Sequence, residues 1–334
     1  MRAFTVERYG DKAGVRAGEV PDPEVGADDV LVRIHAASVN PLDRMIRDGE
    51  LKAILPYRLP VVLGNDLAGI VVEVGAAVTR FAVGDEVFAR PDKDRIGTFA
   101  ELIAVHQDDV AIKPATLTME EAASLPLVAL TSWQALVERA NIQPGQRVLV
   151  HAGSGGLGTI AIQLAKHLGA HVATTTSTAN VDLVKRLGAD VVVDYKKQAF
   201  ETVLHDYDVV LDSLGGETLL KSLDVLKPGG QVISVSGPPD AAFGRELGAN
   251  PVIRLVMSAL SSRIRRRARR RNVTYSFLFM KASGDQLREL TPLIEAGRIR
   301  PVVDTVFSFE SAPEALEYLE TGRAKAGKVV LKMT

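Results

Sequence analysis

Up to about residue 120 the apolar positions come in short runs broken by turn residues. Val30 to Ala36 alternates between apolar and polar positions, Ile70 to Val74 is rich in β-branched residues, and Gly84-Asp85-Glu86 turns into Val87 to Ala89. A period of two bounded by Gly, Pro and Asp predicts strands, and helical periodicity is sparse here. From about Glu120 the pattern changes. Arg147 to His151, His171 to Thr175, Asp190 to Asp194, Asp208 to Leu211 and Gln231 to Val235 are short runs rich in Val, Ile or Leu, with helix-length segments such as Leu157 to Leu168 and Val181 to Leu187 between them. Apolar strands alternating with helices describe βαβ units buried on both faces, so this region predicts an open parallel sheet wound on both sides.

After Val235 the alternation is interrupted by Gly237-Pro238-Pro239 and by a long segment that ends in an arginine cluster. Val273 to Met280 predicts one more strand, Gln286 to Ala296 a helix, and Val329-Val330-Leu331 a terminal strand. The carboxy-terminal tail is expected to complete the β-rich amino-terminal part, which makes the central α/β unit an insertion. A length of 334 residues fits two such domains.

Composition narrows the chemistry. Lys plus Arg (40) against Asp plus Glu (41) leaves a net charge of −1, so no bulk attraction to polyanions is implied. Cysteine is absent, which excludes disulfides, thiolate metal sites and cysteine nucleophiles and fits a reducing, cytoplasmic setting. The amino terminus meets charge before an apolar core of a signal peptide can build. The stretch from Ala122 to Val137 is interrupted by Pro126, Thr131, Ser132 and Gln134 and is too short to span a membrane.

The strand from Arg147 to His151 runs into Gly153-Ser154-Gly155-Gly156-Leu157-Gly158, and an apolar helical run follows. Gly153, Gly155 and Gly158 satisfy G-x-G-x-x-G. Glycines there permit a tight turn, close backbone approach to a pyrophosphate and close helix packing, with the helix N-terminus facing the anion. The alternative is a packing-only glycine turn. The next strand ends in Thr176-Ser177-Thr178-Ala179-Asn180, where an NAD site would carry Asp or Glu for the ribose 2′-hydroxyl. Hydroxyls and an amide instead favour a 2′-phosphate, hence NADP(H), although the same residues also suit a helix-capping turn.

Several segments carry a resemblance. Ala37-Ser38-Val39-Asn40-Pro41-Leu42-Asp43, Gly64-Asn65-Asp66-Leu67-Ala68-Gly69, Val83-Gly84-Asp85-Glu86-Val87, Gly97-Thr98-Phe99-Ala100-Glu101, Glu121-Ala122-Ala123-Ser124-Leu125-Pro126 and Gly322-Arg323-Ala324 are similar to the medium-chain dehydrogenase/reductase superfamily, within it to the zinc-free quinone oxidoreductase and alkenal or enone reductase branch. The resemblance implies an α/β Rossmann sheet inserted into a β-rich GroES-like catalytic domain, with residues 1–121 and 281–334 forming the catalytic domain and residues 122–280 the NADP-binding one. Zinc enzymes of the superfamily hold their metal through an early Cys, a Gly-His-Glu motif and a later Cys. Here Ser38 and Asn40 occupy the early loop and Gly64-Asn65-Asp66 the second motif, so a convergent ligand set is missing. What the resemblance then implies is metal-free hydride transfer to a quinone or to the activated C=C of an α,β-unsaturated carbonyl, in a homodimer.

It also implies roles for individual residues. Asn40 stands near the nicotinamide ribose and Thr131 faces the nicotinamide. Ser177, Thr178, Asn180 and Tyr195 form the 2′-phosphate shell, with Asn180 where some relatives have Lys. Arg323 reaches the cofactor phosphates with Lys328 nearby in sequence, and Val235, Ser236, Phe277 and Phe279 border the nicotinamide. Tyrosines found in some relatives align with Met45 and Leu51, which leaves Tyr57 or water as proton donor. Each position has a plainer alternative. Asn40 before Pro41 can shape a turn, Thr131 can cap a helix, Tyr195 can pack at a strand end, and Arg323 and Lys328 can be solvated surface charges. His167 and His171 are four apart, but Gly169 ends the helix between them, so they read as surface and strand residues rather than metal ligands.

Arg263 to Arg271 holds seven arginines in nine residues. A solvated helix face is one reading. A patch for RNA or an anionic surface is another, and steering of an anionic cofactor a third. The rival to the reductase is therefore a nucleic-acid- or anionic-surface-binding protein whose cofactor site is secondary.

Overall fold

Alternating apolar positions in the first third of the chain become strands that share one buried face. The computed structural model describes residues 1–10 and 14–333. In chain order the elements of the amino-terminal part are β1 (Arg2–Val6), β2 (Val15–Glu19), β3 (Asp29–Val39), α1 (Pro41–Arg47), β4 (Val61–Val62), β5 (Asp66–Val74), β6 (Glu86–Ala89), β7 (Leu102–His106), β8 (Val110–Ile112), α2 (Met119–Ala123) and α3 (Pro126–Trp133). There follow β9 (Arg147–Val150), α4 (Gly156–His167), β10 (His171–Thr176), α5 (Val181–Arg186), β11 (Val191–Asp194), β12 (Tyr207–Asp212), α6 (Gly216–Ser222), β13 (Leu226–Ser234), α7 (Ala241–Glu246), α8 (Pro251–Leu260), α9 (Ser262–Arg270) and β14 (Thr274–Phe277). The chain ends with α10 (Gly284–Glu295), β15 (Val303–Ser308), α11 (Ala312–Glu320) and β16 (Lys328–Lys332). Two units emerge, one of Met1–Leu130 with Lys281–Thr334 and one of Thr131–Met280.

The first unit holds a seven-stranded sheet in the order β15-β16-β3-β5-β6-β8, with β7 also on β3, and a three-stranded sheet β2-β1-β4. The carboxy-terminal strand completes the β-rich part: β16 runs antiparallel to β3, pairing Val329 with Val39 and Val330 with Ser38. A β15-α11-β16 crossover delivers it, since β15 and β16 are parallel. Gly327 enters β16 at φ 76°, and a Cβ there would lie 2.0 Å from the Val302 carbonyl oxygen, so only glycine allows this approach.

The second unit is a parallel sheet in the order β11-β10-β9-β12-β13-β14. Numbered from its own first strand that is 3-2-1-4-5-6, with the order reversing between β9 and β12. Val148, Leu149, Val209, Val210, Val232 and Ile233 are buried on these central strands, as continuous apolar runs require. The last strand is shorter than the apolar run Val273 to Met280 predicts: the ladder ends at Phe277, and the Leu278 amide makes one further bond to the Ser234 carbonyl. The segment before it, without a sequence assignment beyond its arginines, folds into α7, α8 and α9.

His151, at the end of β9, is a core histidine rather than a surface one. Its ring packs edge-on to Phe200 at 4.6 Å between centroids, with Nδ1 3.1 Å from Thr175 Oγ1 and Nε2 2.9 Å from Ser222 Oγ. Ser222 already donates its proton to the Thr218 carbonyl, so Nε2–H donates to Ser222 and Nδ1 accepts from Thr175. Burial holds this imidazole neutral and pushes its pKa down to about 4. The unfolded chain therefore binds a proton that the folded one refuses between its ordinary value near 6.5 and about 4, and stability falls as pH falls through that window. Comparing urea midpoints of the wild type and His151→Gln at pH 7 and pH 4.5 is expected to show the wild type losing up to about 3 kcal/mol more than the variant. Parallel pH profiles would contradict a neutral buried ring.

Candidate active site

The register of three strands builds a buried polar cluster in the first unit. β16 on β3 sets Lys328 opposite Asn40, and β3 on β5 pairs Ser38 with Asp66. Asp66 Oδ2 accepts from Ser38 Oγ at 2.8 Å, Asn40 Nδ2 at 2.9 Å and Lys328 Nζ at 3.2 Å. Its Oδ1 accepts the Leu127 amide at 2.7 Å, in the first turn of α3, where the helix dipole favours a negative charge. Asn40 Oδ1 accepts from Lys328 Nζ and its amide also donates to the Ser38 carbonyl at 3.2 Å. Asn40 and Lys328 are 1% and 5% exposed. A buried carboxylate with this many donors, one of them an ammonium, is compensated rather than stranded.

Below it lies a second carboxylate. Asp43 Oδ2 accepts the Asn40 amide and Oδ1 accepts Asn65 Nδ2, both at 2.7 Å. Complete burial pushes its pKa up to about 7, against the pull of those donors and of Lys328. Arg90 is buried beside it, donating to the Pro91 carbonyl at 2.7 Å and to Asn65 Oδ1 at 3.4 Å, and burial lowers its pKa. Asp43, Asn65, Asp66 and Arg90 are site residues the sequence reading left without roles. The signal was present for the first three, since they lie in the segments around Asn40 and Gly64 that carry the resemblance. Nothing in sequence marked Arg90.

Several expectations are corrected. Lys328 is not a solvated surface charge, and its ammonium is spent on Asn40 and Asp66 rather than left free for a phosphate. Asn40 does stand at the start of α1 before Pro41, in a capping box with Asp43, and its side chain serves the cluster as well. Thr131 does not cap a helix; it is buried inside α3. Tyr57 donates its hydroxyl proton to the Lys93 carbonyl at 2.6 Å, and burial raises its pKa. Arg323 lies exposed, with Glu317 at 3.0 Å and Thr321 Oγ1 at 2.9 Å.

In the second unit the glycine loop follows β9 on the side where the strand order reverses. A Cβ on Gly153 would lie 2.0 Å from Thr174 Oγ1, and one on Gly158 2.3 Å from the Ala152 carbonyl oxygen, so both glycines are demanded by packing. Gly155 is different: its Cβ would meet only the Ala152 carbonyl oxygen, at 3.3 Å, and it stands at the cap of α4. Ala152 holds φ 51°, a strained conformation for a residue with a side chain, at the turn that aims the loop. Backbone N–H groups of the first turn of α4, from Gly156 and Leu157 on, have no partner within the helix and suit an anion. Ser154 Oγ accepts from Thr176 Oγ1 and Asn180 Nδ2, both at 3.1 Å, which leaves its own proton to donate.

The adjoining strand end holds a carboxylate after all. Asp194, at the end of β11 and in register with Thr176, accepts from Thr178 Oγ1 at 2.6 Å, and that bond holds its pKa below the ordinary value. The next-door backbone puts Tyr195 into solvent at 61% exposure, so it is not packed, and Ser177 precedes the turn into α5. Lys197 Nζ is 3.6 Å from Asp194. At the other side of the sheet Val235 bonds the Asp212 carbonyl through its amide, Ser236 Oγ donates to the Ser213 carbonyl, and Phe277 and Phe279 pack on Phe243 at 4.9 and 5.9 Å.

Comparison with known proteins fits this arrangement. Residues 26–115 match the alcohol dehydrogenase GroES-like domain and residues 187–331 the zinc-binding dehydrogenase family. A 2-methylene-furan-3-one reductase from Solanum lycopersicum is 37% identical over 99% of this chain and 79% of its own. The quinone oxidoreductase from Coxiella burnetii has a TM-score of 0.87 at 31% identity, covering 100% of this chain and 99% of its own. The Escherichia coli quinone oxidoreductase complexed with NADPH has a TM-score of 0.80 at 27% identity, covering 99% and 100%. The zinc in that family description does not fit these residues: an ammonium already occupies the centre of the cluster. Among the described residues no group of three or more His, Cys, Asp or Glu is placed to hold a metal ion. With its GroES-like and nucleotide-binding units, the chain belongs to the medium-chain dehydrogenase/reductase superfamily of oxidoreductases.

Proposed function

We propose that the protein is an NADPH-dependent reductase of quinones or α,β-unsaturated carbonyls that works without a metal. The observation that carries this reading is the Lys328–Asn40–Asp66 cluster in a chain that keeps the dinucleotide loop. Bound NADPH supplies the hydride, which goes to the β-carbon of an enone or to a quinone ring. Negative charge then builds on the substrate oxygen, and positioning and hydrogen-bond donation are left to the protein. Gly155, Gly156, Leu157 and Ser154 hold the pyrophosphate at the α4 N-terminus. Asn40, with Lys328 on its Oδ1 and both amide hydrogens engaged, is held rigid and is assigned to a ribose hydroxyl. Thr131, Val235, Ser236, Phe277 and Phe279 are assigned to the nicotinamide end. Ser177, Asn180, Tyr195 and Lys197 are assigned to the 2′-phosphate, with Arg323 at the phosphates. Thr178 joins them indirectly by occupying Asp194, so that this carboxylate faces the site already hydrogen-bonded. Homodimer formation through the outer edge of β14 and a cytoplasmic location belong to the same reading. No helix among the described residues is long and apolar enough to cross a membrane.

Stopped-flow or fluorescence titration is expected to give NADPH at least about tenfold tighter binding than NADH, a difference of about 1.4 kcal/mol. Equal affinities would make Asp194 a ribose ligand and the cofactor NADH. Replacing Lys328 with Met leaves Asp66 buried without its cation. The expected result is a loss of about 3–5 kcal/mol in unfolding free energy together with weaker NADPH binding. A fully stable, active Lys328→Met variant would remove the cluster from the mechanism. Because the Tyr57 proton is committed to the Lys93 carbonyl, Tyr57→Phe is expected to keep most of the wild-type kcat, with water as the proton source. A fall of about a hundredfold or more, the contribution of a general acid, would instead identify Tyr57 as the donor.

A further inference from the structure

Helix α8 turns its apolar side outward. Val252, Leu255, Val256 and Leu260 are 69%, 71%, 52% and 60% exposed, and their spacing of three, four and eight residues from Val252 puts them on one stripe. Met257 is the position by which this helix is anchored to the unit. An exposed aliphatic stripe of this kind is unusual on a soluble surface and marks an interaction site.

The next helix supplies charge. Between residues 251 and 271 there are eight arginines and no acidic residue. Ile264 and Ala268 are the buried positions of α9, so its arginines are distributed over the remaining faces. Arg267 and Arg271 share Asp224, at 3.1 and 2.5 Å, and Arg265 is tied to the carbonyl and hydroxyl of Ser258 at 2.8 and 2.5 Å. Arg263, Arg269 and Arg270 are exposed and have no acidic partner among the described residues.

Each occupant of such a face must satisfy both halves. Nucleic acid offers phosphates but nothing for Val252, Leu255, Val256 and Leu260. A second copy docked symmetrically through the same face would bring its own unpaired arginines against the first set. An anionic bilayer meets both needs, since aliphatic residues enter the boundary between headgroups and acyl chains while arginines pair with lipid phosphates. We infer that α8 and α9 form a peripheral docking face for an anionic phospholipid membrane. The face lies apart from the glycine loop in sequence and is read out without turnover, so its failure and that of the reductase assignment are separable.

The test is co-sedimentation of the full chain with phosphatidylcholine vesicles, with and without phosphatidylglycerol. Binding is expected only with phosphatidylglycerol and is expected to fall by roughly tenfold or more between about 0.1 M and about 1 M salt, as the screening length contracts. The same loss is expected in Leu255→Ser/Leu260→Ser and in Arg263→Gln/Arg269→Gln/Arg270→Gln. Because all five replaced side chains are exposed, both variants are expected to keep the wild-type melting temperature and NADPH turnover. Absence of vesicle binding, equal binding to neutral vesicles, or binding that survives both sets of substitutions would each overturn the inference. Self-association or RNA binding that the variants abolish, without vesicle binding, would overturn it as well and give the face to a second copy or to nucleic acid.

Discussion

The β-rich unit depends on one strand register. Asp66 is a carboxylate with no exposure, and taking such a charge out of water costs several kcal/mol unless donors and an opposite charge replace the lost hydration. Those replacements come from Ser38 and Asn40 on and beside β3, from the first turn of α3, and from Lys328, 262 residues away in sequence. A slip of one residue between β16 and β3 would send the lysine to the opposite face of the sheet and leave Asp66 alone. Gly327 and the α11 crossover hold that register in place, which ties the last strand of the chain to the geometry of Asn40.

This arrangement changes what the fold can do. A zinc centre polarises an oxygen through a divalent ion held by three protein ligands, with an open fourth position. Here an ammonium, an amide and a carboxylate satisfy one another and leave no such opening, so the cluster holds Asn40 rigidly and does little else. Breaking a buried pair of this kind exposes the other charge, whereas forming it adds only modest stability, and that asymmetry makes Lys328 a determinant of shape more than of strength. In the nucleotide-binding unit rigidity comes from contact instead of charge. Gly153 and Gly158 are packed against Thr174 and Ala152, and Ala152 itself is held in a strained conformation, so close packing fixes the turn that leads into α4.

Charge is distributed unevenly over the molecule. A net charge of −1 suggests an unremarkable surface, yet α9 concentrates arginines beside an apolar helix face, and the acids that balance them lie elsewhere in the chain. Only Asp224 reaches them as an ion-pair partner among the described residues. Salt screening makes such a patch a local feature, effective over about 10 Å at 0.1 M salt, and invisible in a chain-wide total.

Local pattern was enough to determine the parallel nucleotide-binding sheet, because strand period, helix period and the Gly153 to Gly158 spacing are all properties of neighbouring residues. The same holds for the helix stop at Gly169 and for the absence of thiolate chemistry. It also sufficed to suggest that the carboxy-terminal strand returns to the amino-terminal sheet. What pattern could not determine is which side chains meet across strands. Lys328 read equally well as a surface charge, Asp194 belonged to a different strand from the turn it serves, and Arg90 and His151 carried no local mark of burial. Those facts follow from strand register and from the desolvation of groups far apart in the chain. Only the tertiary structure decided them, since the cost of a buried charge is set by what surrounds it in space and not by its neighbours in sequence.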